Sequence, residues 1–233
     1  MRLKPTIDQY LLSTCLFIID EFNELYENLS AQELKQIADE KYNEMDICVR
    51  IGYPFRNMVH YTVGDNKKKK INTTEDGTII QEDKINHDLY IESKDFKIEV
   101  KFLKNWKSTN GTYSCSKNWK EFKHDFDWLE RELEVNKGKR AFVIGWFNCV
   151  DKFSQLIQLG GTKGGKPLVD DMKLVYFPFL YKMKIPTFTT DLNYDYREAY
   201  KSTRIKLIGE KQSNIDCLFL GNEKDKFHFV IYY

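Results

Sequence analysis

Phe96-Lys97-Ile98-Glu99-Val100-Lys101-Phe102 alternates apolar and charged residues without a break. Successive side chains of an extended strand point to opposite faces, so Phe96, Ile98, Val100 and Phe102 face a core while Lys97, Glu99 and Lys101 share the other face. Just upstream, residues 86 to 92 read as a second strand, joined to the first by a tight turn at Ser93, Lys94 and Asp95. If Ile91 pairs with Phe96 across that turn, Asp88 stands directly opposite Glu99, and opposed positions in an antiparallel pair lie about 4.5 to 5.5 Å apart. Two carboxylates facing each other repel unless a metal ion, solvent or the neighbouring Lys101 compensates them. The same spacing lets them hold one divalent cation, with oxygens about 2.0 to 2.1 Å from Mg²⁺.

Upstream, residues 6 to 28 place Leu11, Leu12, Cys15, Ile18, Ile19, Phe22 and Leu25 at helical spacing, with Thr6 or Asp8 as the cap. Ser30 and Glu33 form a capping box that opens a second helix, expected to run to about Met45. Gly52, Pro54 and Gly64-Asp65-Asn66 bracket a short extended piece at 56 to 63. Lys67 to Lys70 reads as an exposed hairpin tip or loop, because four consecutive lysines cannot all be buried.

Downstream, a polar loop from Asn105 to Cys115 leads to a helix from about Lys117 to Val135, with Trp119, Phe122, Phe126, Leu129 and Leu133 recurring every three or four residues. Residues 140 to 147, Arg-Ala-Phe-Val-Ile-Gly-Trp-Phe, suit a central strand covered on both faces. A short helix near 151 to 158, a glycine-rich loop at 160 to 166, strands near 173 to 180 and 203 to 208, and a terminal hairpin across 215 to 233 complete the chain. The order helix, three strands, helix, strand predicts an α/β fold over residues 6 to 147. Residues 148 to 233 extend that core within a single domain spanning 1 to 233.

Composition narrows the function less than the pattern does. With 36 basic and 35 acidic residues the net charge is +1, so affinity for phosphate must come from a local basic patch. The five cysteines show no CxxC or Cys/His zinc spacing and read as reduced thiols. Leu11 to Ile19 is too short to span a bilayer. Asp8 before it and Asp20-Glu21 after it argue against a signal peptide, so a cytoplasmic protein with no membrane partner is expected.

Asp88, ten intervening residues, then Glu99-Val100-Lys101, set between two helices and a further strand, resembles the PD-(D/E)XK nuclease superfamily. The resemblance covers roughly residues 6 to 147 and implies a restriction-endonuclease-like core, αβββαβ with a mixed sheet flanked by helices, here with extra C-terminal strands. It further implies Asp88 and Glu99 as ligands of Mg²⁺ or Mn²⁺, with the Val100 carbonyl as an additional ligand. Lys101 would orient water or steady the scissile phosphate. Members often add an acid from the first helix, for which Glu21, Glu24 and Glu27 are candidates and Glu24 is the one expected. His87 stands where the family name has proline, a position the superfamily often varies. Glu-x-Lys recurs at Glu33, Glu92 and Glu121, but only the match at Glu99 lies within an alternating strand.

The resemblance implies a nucleic-acid substrate, DNA in preference to RNA, and cutting both strands of a duplex would favour a homodimer. Lys107, Lys117 and Lys120 are the candidates for backbone contacts just after the proposed site, with Trp119 assigned to the core. Gly160 to Pro167 falls one residue short of a phosphate-binding P-loop, since Pro167 lacks the required hydroxyl, so Lys163 and Lys166 are retained only as nucleic-acid contacts. By analogy, a restriction or mobile-element defence endonuclease is expected. The rival is a nonenzymatic immunity or anti-restriction type of protein that uses the same charged face for docking. An acid from the first helix converging on Asp88 and Glu99 in a cleft would favour the enzyme, and the three side chains dispersed on a convex face would favour the binding protein.

Overall fold

Asp8 is buried and starts the first helix, α1 (Gln9–Leu25), by accepting the Tyr10 N–H at 2.9 Å. Its carboxylate also meets Lys94 at 3.0 Å and Lys139 at 2.8 Å. Burial works to raise its pKa, but hydrogen bonds from Lys139, Lys94 and the Tyr10 N–H outweigh that and hold it below the usual carboxylate value. The expected Ser30–Glu33 capping box opens α2 (Ala31–Glu40). That helix ends short of Met45. A second reciprocal box, Asn43 with Asp46, opens a separate helix α3 (Glu44–Gly52), which buries Ile47, Cys48 and Ile51.

The computed structural model describes residues 7–61, 71–73, 79–81, 88–91, 94–103, 115–135, 138–149, 153–157, 169–182, 192–207 and 214–233. After α3 come β1 (Val59–Tyr61), β2 (Ile71–Thr73), β3 (Ile79–Gln81), β4 (Leu89–Ile91) and β5 (Phe96–Leu103), then α4 (Cys115–Val135) and β6 (Lys139–Phe147). The C-terminal part adds α5 (Phe153–Leu156), α6 (Asp171–Leu174), β7 (Leu180–Lys182), β8 (Leu192–Tyr194), β9 (Ser202–Lys206), β10 (Asn214–Leu220) and β11 (Phe227–Tyr232). The strand expected near 173 to 180 is not formed as such. Asp170 instead caps the single-turn α6 by accepting the Met172 N–H, and the chain is extended only from Leu180.

The main sheet has seven strands in the order β1-β4-β5-β6-β11-β10-β9. It is mixed. α4 carries the chain from β5 to a parallel β6, and the other neighbours are antiparallel. The β4–β5 register is the one read from the sequence: Ile91 faces Phe96, Tyr90 faces Lys97 and Leu89 faces Ile98. β6 lies at the centre of the sheet and, Lys139 apart, is buried throughout, as its unbroken apolar run requires. One face of the sheet, with Ile98, Val100, Val143 and Phe229, packs under α1, α2 and α3. The opposite face, with Phe142, Ile144, Val230 and Tyr232, packs under α4, α5 and the segment around Tyr176 to Leu180. Among the described residues no helix is long and apolar enough to cross a membrane.

His228 on β11 is fully buried against the rings of Trp146, Tyr194, Tyr196 and Phe219, with centroids 5.5 to 5.7 Å away. Its Nε2 lies 2.9 Å from the Asn222 carbonyl, which can only accept, so Nε2 carries the proton, and Nδ1 has no hydrogen-bond partner. Burial pushes its pKa down to about 4, against the opposing pull of the Asn222 carbonyl and Asp225. The unfolded chain therefore binds a proton that the folded one refuses between pH 6.5 and 4, and stability falls as pH drops through that window. At about 1.4 kcal/mol per pKa unit the loss reaches about 3 kcal/mol. His228→Gln is expected to flatten the dependence of the urea midpoint on pH across this range, and an unchanged slope would show that His228 is not its source.

Candidate active site

The polar face of β5 is covered rather than exposed. In the parallel ladder Glu99 pairs with Phe142 and Lys101 with Ile144, so their side chains emerge on the α4 side of the sheet. α4 runs back along this face. Glu132 and Asp125 lie seven residues apart, about 10.5 Å along a helix. Lys97 and Lys101 lie four apart, about 13 Å along a strand, and the two pairs meet in reverse order. Lys97 reaches Glu132 at 3.3 Å, and Arg140 of β6 locks the same carboxylate at 2.7 Å. Lys101 lies 3.6 Å from Asp125.

At the other edge of β5 the backbone ladder with β4 gives way to carboxylates. The Asp88 N–H donates to the Ile98 carbonyl at 3.2 Å, and beyond that bond the Val100 N–H donates to Asp88 Oδ2 at 2.8 Å. One residue pair further, the Phe102 N–H reaches Glu44 Oε2 at 3.4 Å. N–H and C=O of one residue lie on the same edge of an antiparallel strand, so the Val100 carbonyl is directed to the edge where Asp88 stands. Asp88 stands one residue before the paired stretch of β4, and its carboxylate is close enough to Glu99 to raise the pKa of that acid.

Lys101 is the centre of charge. Its ammonium lies 3.7 Å from Glu99, 3.7 Å from Glu44 and 3.6 Å from Asp125. Burial works against its charge, but Asp125, Glu44, Glu99 and Asp88 outweigh burial and raise its pKa above the usual lysine value. The acids shift upward too. Glu99 is raised by burial and then by Asp88 and Asp125, Asp88 and Glu44 chiefly by burial, and burial pushes Asp125 up to about 7. Four carboxyl groups around one ammonium cannot all ionise at once, and burial, joined at Glu99 by repulsion from Asp88, raises the pKa values of Asp88 and Glu99. A lysine held this firmly protonated donates hydrogen bonds and offsets negative charge. It does not take a proton from water.

The structure thus brings Asp88, Glu99 and Lys101 together and adds two acids that sequence reasoning missed. Glu24 is not one of them. It is exposed near the C-terminal end of α1, a helix whose buried face packs toward β11 and α3, so the carboxyl reaching Lys101 from the helical layer is Glu44, the first residue of α3. The Asn43-x-x-Asp46 box was the signal that could have separated α3 from α2. Asp125 could have been found as a polar residue buried between Phe122, Phe126 and Leu129 on the apolar side of α4. Lys117 and Lys120 are exposed on the first turns of α4, and Trp119 packs against Tyr176 and Phe177. His87, Lys107, Lys163 and Lys166 lie outside the described residues.

The donor set suits a hard divalent cation in kind: carboxylates, a strand carbonyl, and an Asp125 Oδ2 that is buried without a hydrogen-bond partner. In placement, among the described residues no three His, Cys, Asp or Glu side chains are grouped to hold a metal ion as they lie, and the charge balance of the cluster rests on Lys101. Comparison of the chain with protein-family models, curated proteins and solved structures found no match.

Proposed function

We propose that the protein is a metal-dependent endonuclease of the PD-(D/E)XK type that hydrolyses phosphodiester bonds of DNA, in the manner of a restriction or mobile-element defence enzyme. The observation that carries this reading is the cluster at the end of the β4–β5 ladder: Asp88 bonded to the Val100 N–H, Glu99 and Lys101 on either side of Val100, and Glu44 arriving from the helix that precedes the sheet. The mixed α/β sheet, with β1, β4 and β5 antiparallel and β6 parallel to β5 across α4, supports it.

In this reading Asp88, Glu99 and the Val100 carbonyl would hold Mg²⁺ or Mn²⁺, which would supply Lewis acidity at the phosphate and make water a better nucleophile. Lys101, held as an ammonium, offsets the extra negative charge that builds on the phosphoryl oxygens as water adds. Glu44 is partly exposed at the rim and bonded to the β5 edge, where it can orient that water. The exposed Lys117 and Lys120 on α4 suit contacts to flanking phosphates.

The test is incubation of the purified protein with circular, linear and single-stranded DNA and with RNA, each with Mg²⁺, Mn²⁺ or EDTA. Cleavage of DNA that needs the metal and disappears in EDTA is the expected result. A folded protein that cuts none of these substrates would overturn the reading. One observation favours the rival, a nonenzymatic binding or inhibitory protein: Lys101 is already ion-paired to three carboxylates. For such a protein calorimetry with Mn²⁺ would register no binding, whereas the nuclease binds it and loses the heat on Glu99→Gln.

A further inference from the structure

We propose that Asp125 of α4 is the positioning residue for Lys101: it anchors the ammonium from the α4 side of the sheet, so that Nζ is held where a scissile phosphate must be met. This rests on the nuclease reading for its catalytic consequence, though not for its geometry.

Three carboxylates stand at nearly equal distances from Nζ, and they are not equivalent. Glu99 sits two residues from Lys101 on the same strand and is crowded by Asp88, so it does not tie Lys101 to a second element. Glu44 bonds the Phe102 N–H from the first residue of a nine-residue helix, and its side chain is 42% exposed. Asp125 has neither commitment nor freedom. Its side chain is 8% exposed, and its Oδ2 accepts no hydrogen bond. It sits on the 21-residue α4 between Phe122, Phe126 and Leu129, whose packing on the β6 face fixes where the carboxylate points. Among the described residues Lys101 is the cation that this carboxylate meets.

Stability alone does not account for an acid at that place. Burying a carboxylate is costly unless it is well paired, and here it adds a fourth acid to a cluster with one ammonium. Removing its charge should therefore leave the fold as stable as before, or more so. What the fold gains from Asp125 is a Lys101 side chain that cannot swing away. Lysine is long and has four rotatable bonds, and a freely rotating ammonium would have to be ordered each time a phosphate arrived. A misplacement of about 1 Å can cost about 100-fold in rate, so a rigid anchor on a packed helix has a catalytic use that a surface ion pair lacks.

The experiment compares the full-length wild type with Asp125→Asn, Asp125→Ser and Asp125→Glu. The side-chain ammonium signals of ¹⁵N-lysine-labelled protein are recorded by NMR, with Lys101→Met identifying the Lys101 signal. Wild type is expected to show an ordered, exchange-protected Lys101 ammonium. Asp125→Asn and Asp125→Ser should lose its order while the melting temperature stays level or rises, and Asp125→Glu should restore part of it. In steady-state DNA cleavage the neutral variants are expected to lose about 10- to 100-fold in kcat with KM changed by less than about twofold.

A Lys101 signal equally ordered in the neutral variants, or a kcat lost only in step with a fallen melting temperature, would overturn the assignment. If the wild type itself cuts no nucleic acid, the nuclease reading falls, and the ammonium signal alone decides whether Asp125 anchors Lys101.

Discussion

Lys101→Met is expected to reduce metal-dependent DNA cleavage by about 100- to 1,000-fold, the loss typical of removing one preorganised group that meets charge developing in the transition state. Methionine keeps the length and apolar stem of the side chain, so packing against the α4 face of the sheet is preserved while the charge disappears. Lys101→Arg separates charge from position. Guanidinium keeps the cluster compensated but is larger and planar, and cannot place a point charge where Nζ stands. It should retain the stability of the wild type and little of its activity.

Full activity in Lys101→Met would remove the lysine from the mechanism. The same substitution carries a signature in metal-free buffer, because Asp88, Glu99, Glu44 and Asp125 lose the ammonium that offsets them. The folded state then holds carboxyls whose pKa values lie further above their unfolded values than before. Such groups destabilise the fold above their folded pKa and cease to do so as pH falls and they take up protons. Lys101→Met in EDTA should therefore be less stable than wild type at pH 8 and approach it toward pH 5, as read from urea midpoints.

Trp146→Ala is expected to destabilise the protein by about 3 to 5 kcal/mol, measured by urea unfolding. Trp146 is fully buried on β6 and meets Phe153, Phe179, Tyr194, Phe219 and His228 within 6.0 Å between ring centroids. Its indole N–H donates to the Tyr194 hydroxyl at 2.9 Å. The ring thus joins the central strand to β8, β10 and β11, and the cavity left by alanine would be lined by aromatic side chains too rigid to close it. A loss below about 1 kcal/mol would show instead that the surrounding rings collapse into the space.

Much of the candidate site could be read along the chain. The alternation from Phe96 to Phe102 determined which residues share a face, and the short turn after Ile91 determined the register that pairs Ile91 with Phe96 and Leu89 with Ile98, leaving Asp88 at the end of the ladder beside Val100. Both follow from the two-residue period of a strand, which acts between neighbours and needs no knowledge of the rest of the fold. The Ser30–Glu33 box, the apolar run of β6 and the terminal hairpin were legible for the same reason.

The second layer of the site was not. Choosing Glu24 followed from treating the most regular helix as the one beside the site, but α1 packs toward β11, and the short α3 lies against β5. Which helix delivers its acid depends on how the helices are laid across the sheet, a matter of packing between segments far apart in sequence. Asp125 was hidden for a related reason: on a helix read alone it is one charged residue among several, and only the antiparallel passage of α4 over β5 sets it against Lys101. Sequence by itself determined the strand pair, its register and the three residues with chemistry on one face, because those are local and periodic. Tertiary structure decided that Glu44 and Asp125 close around Lys101, because long-range packing alone sets the distance between a helix and a strand.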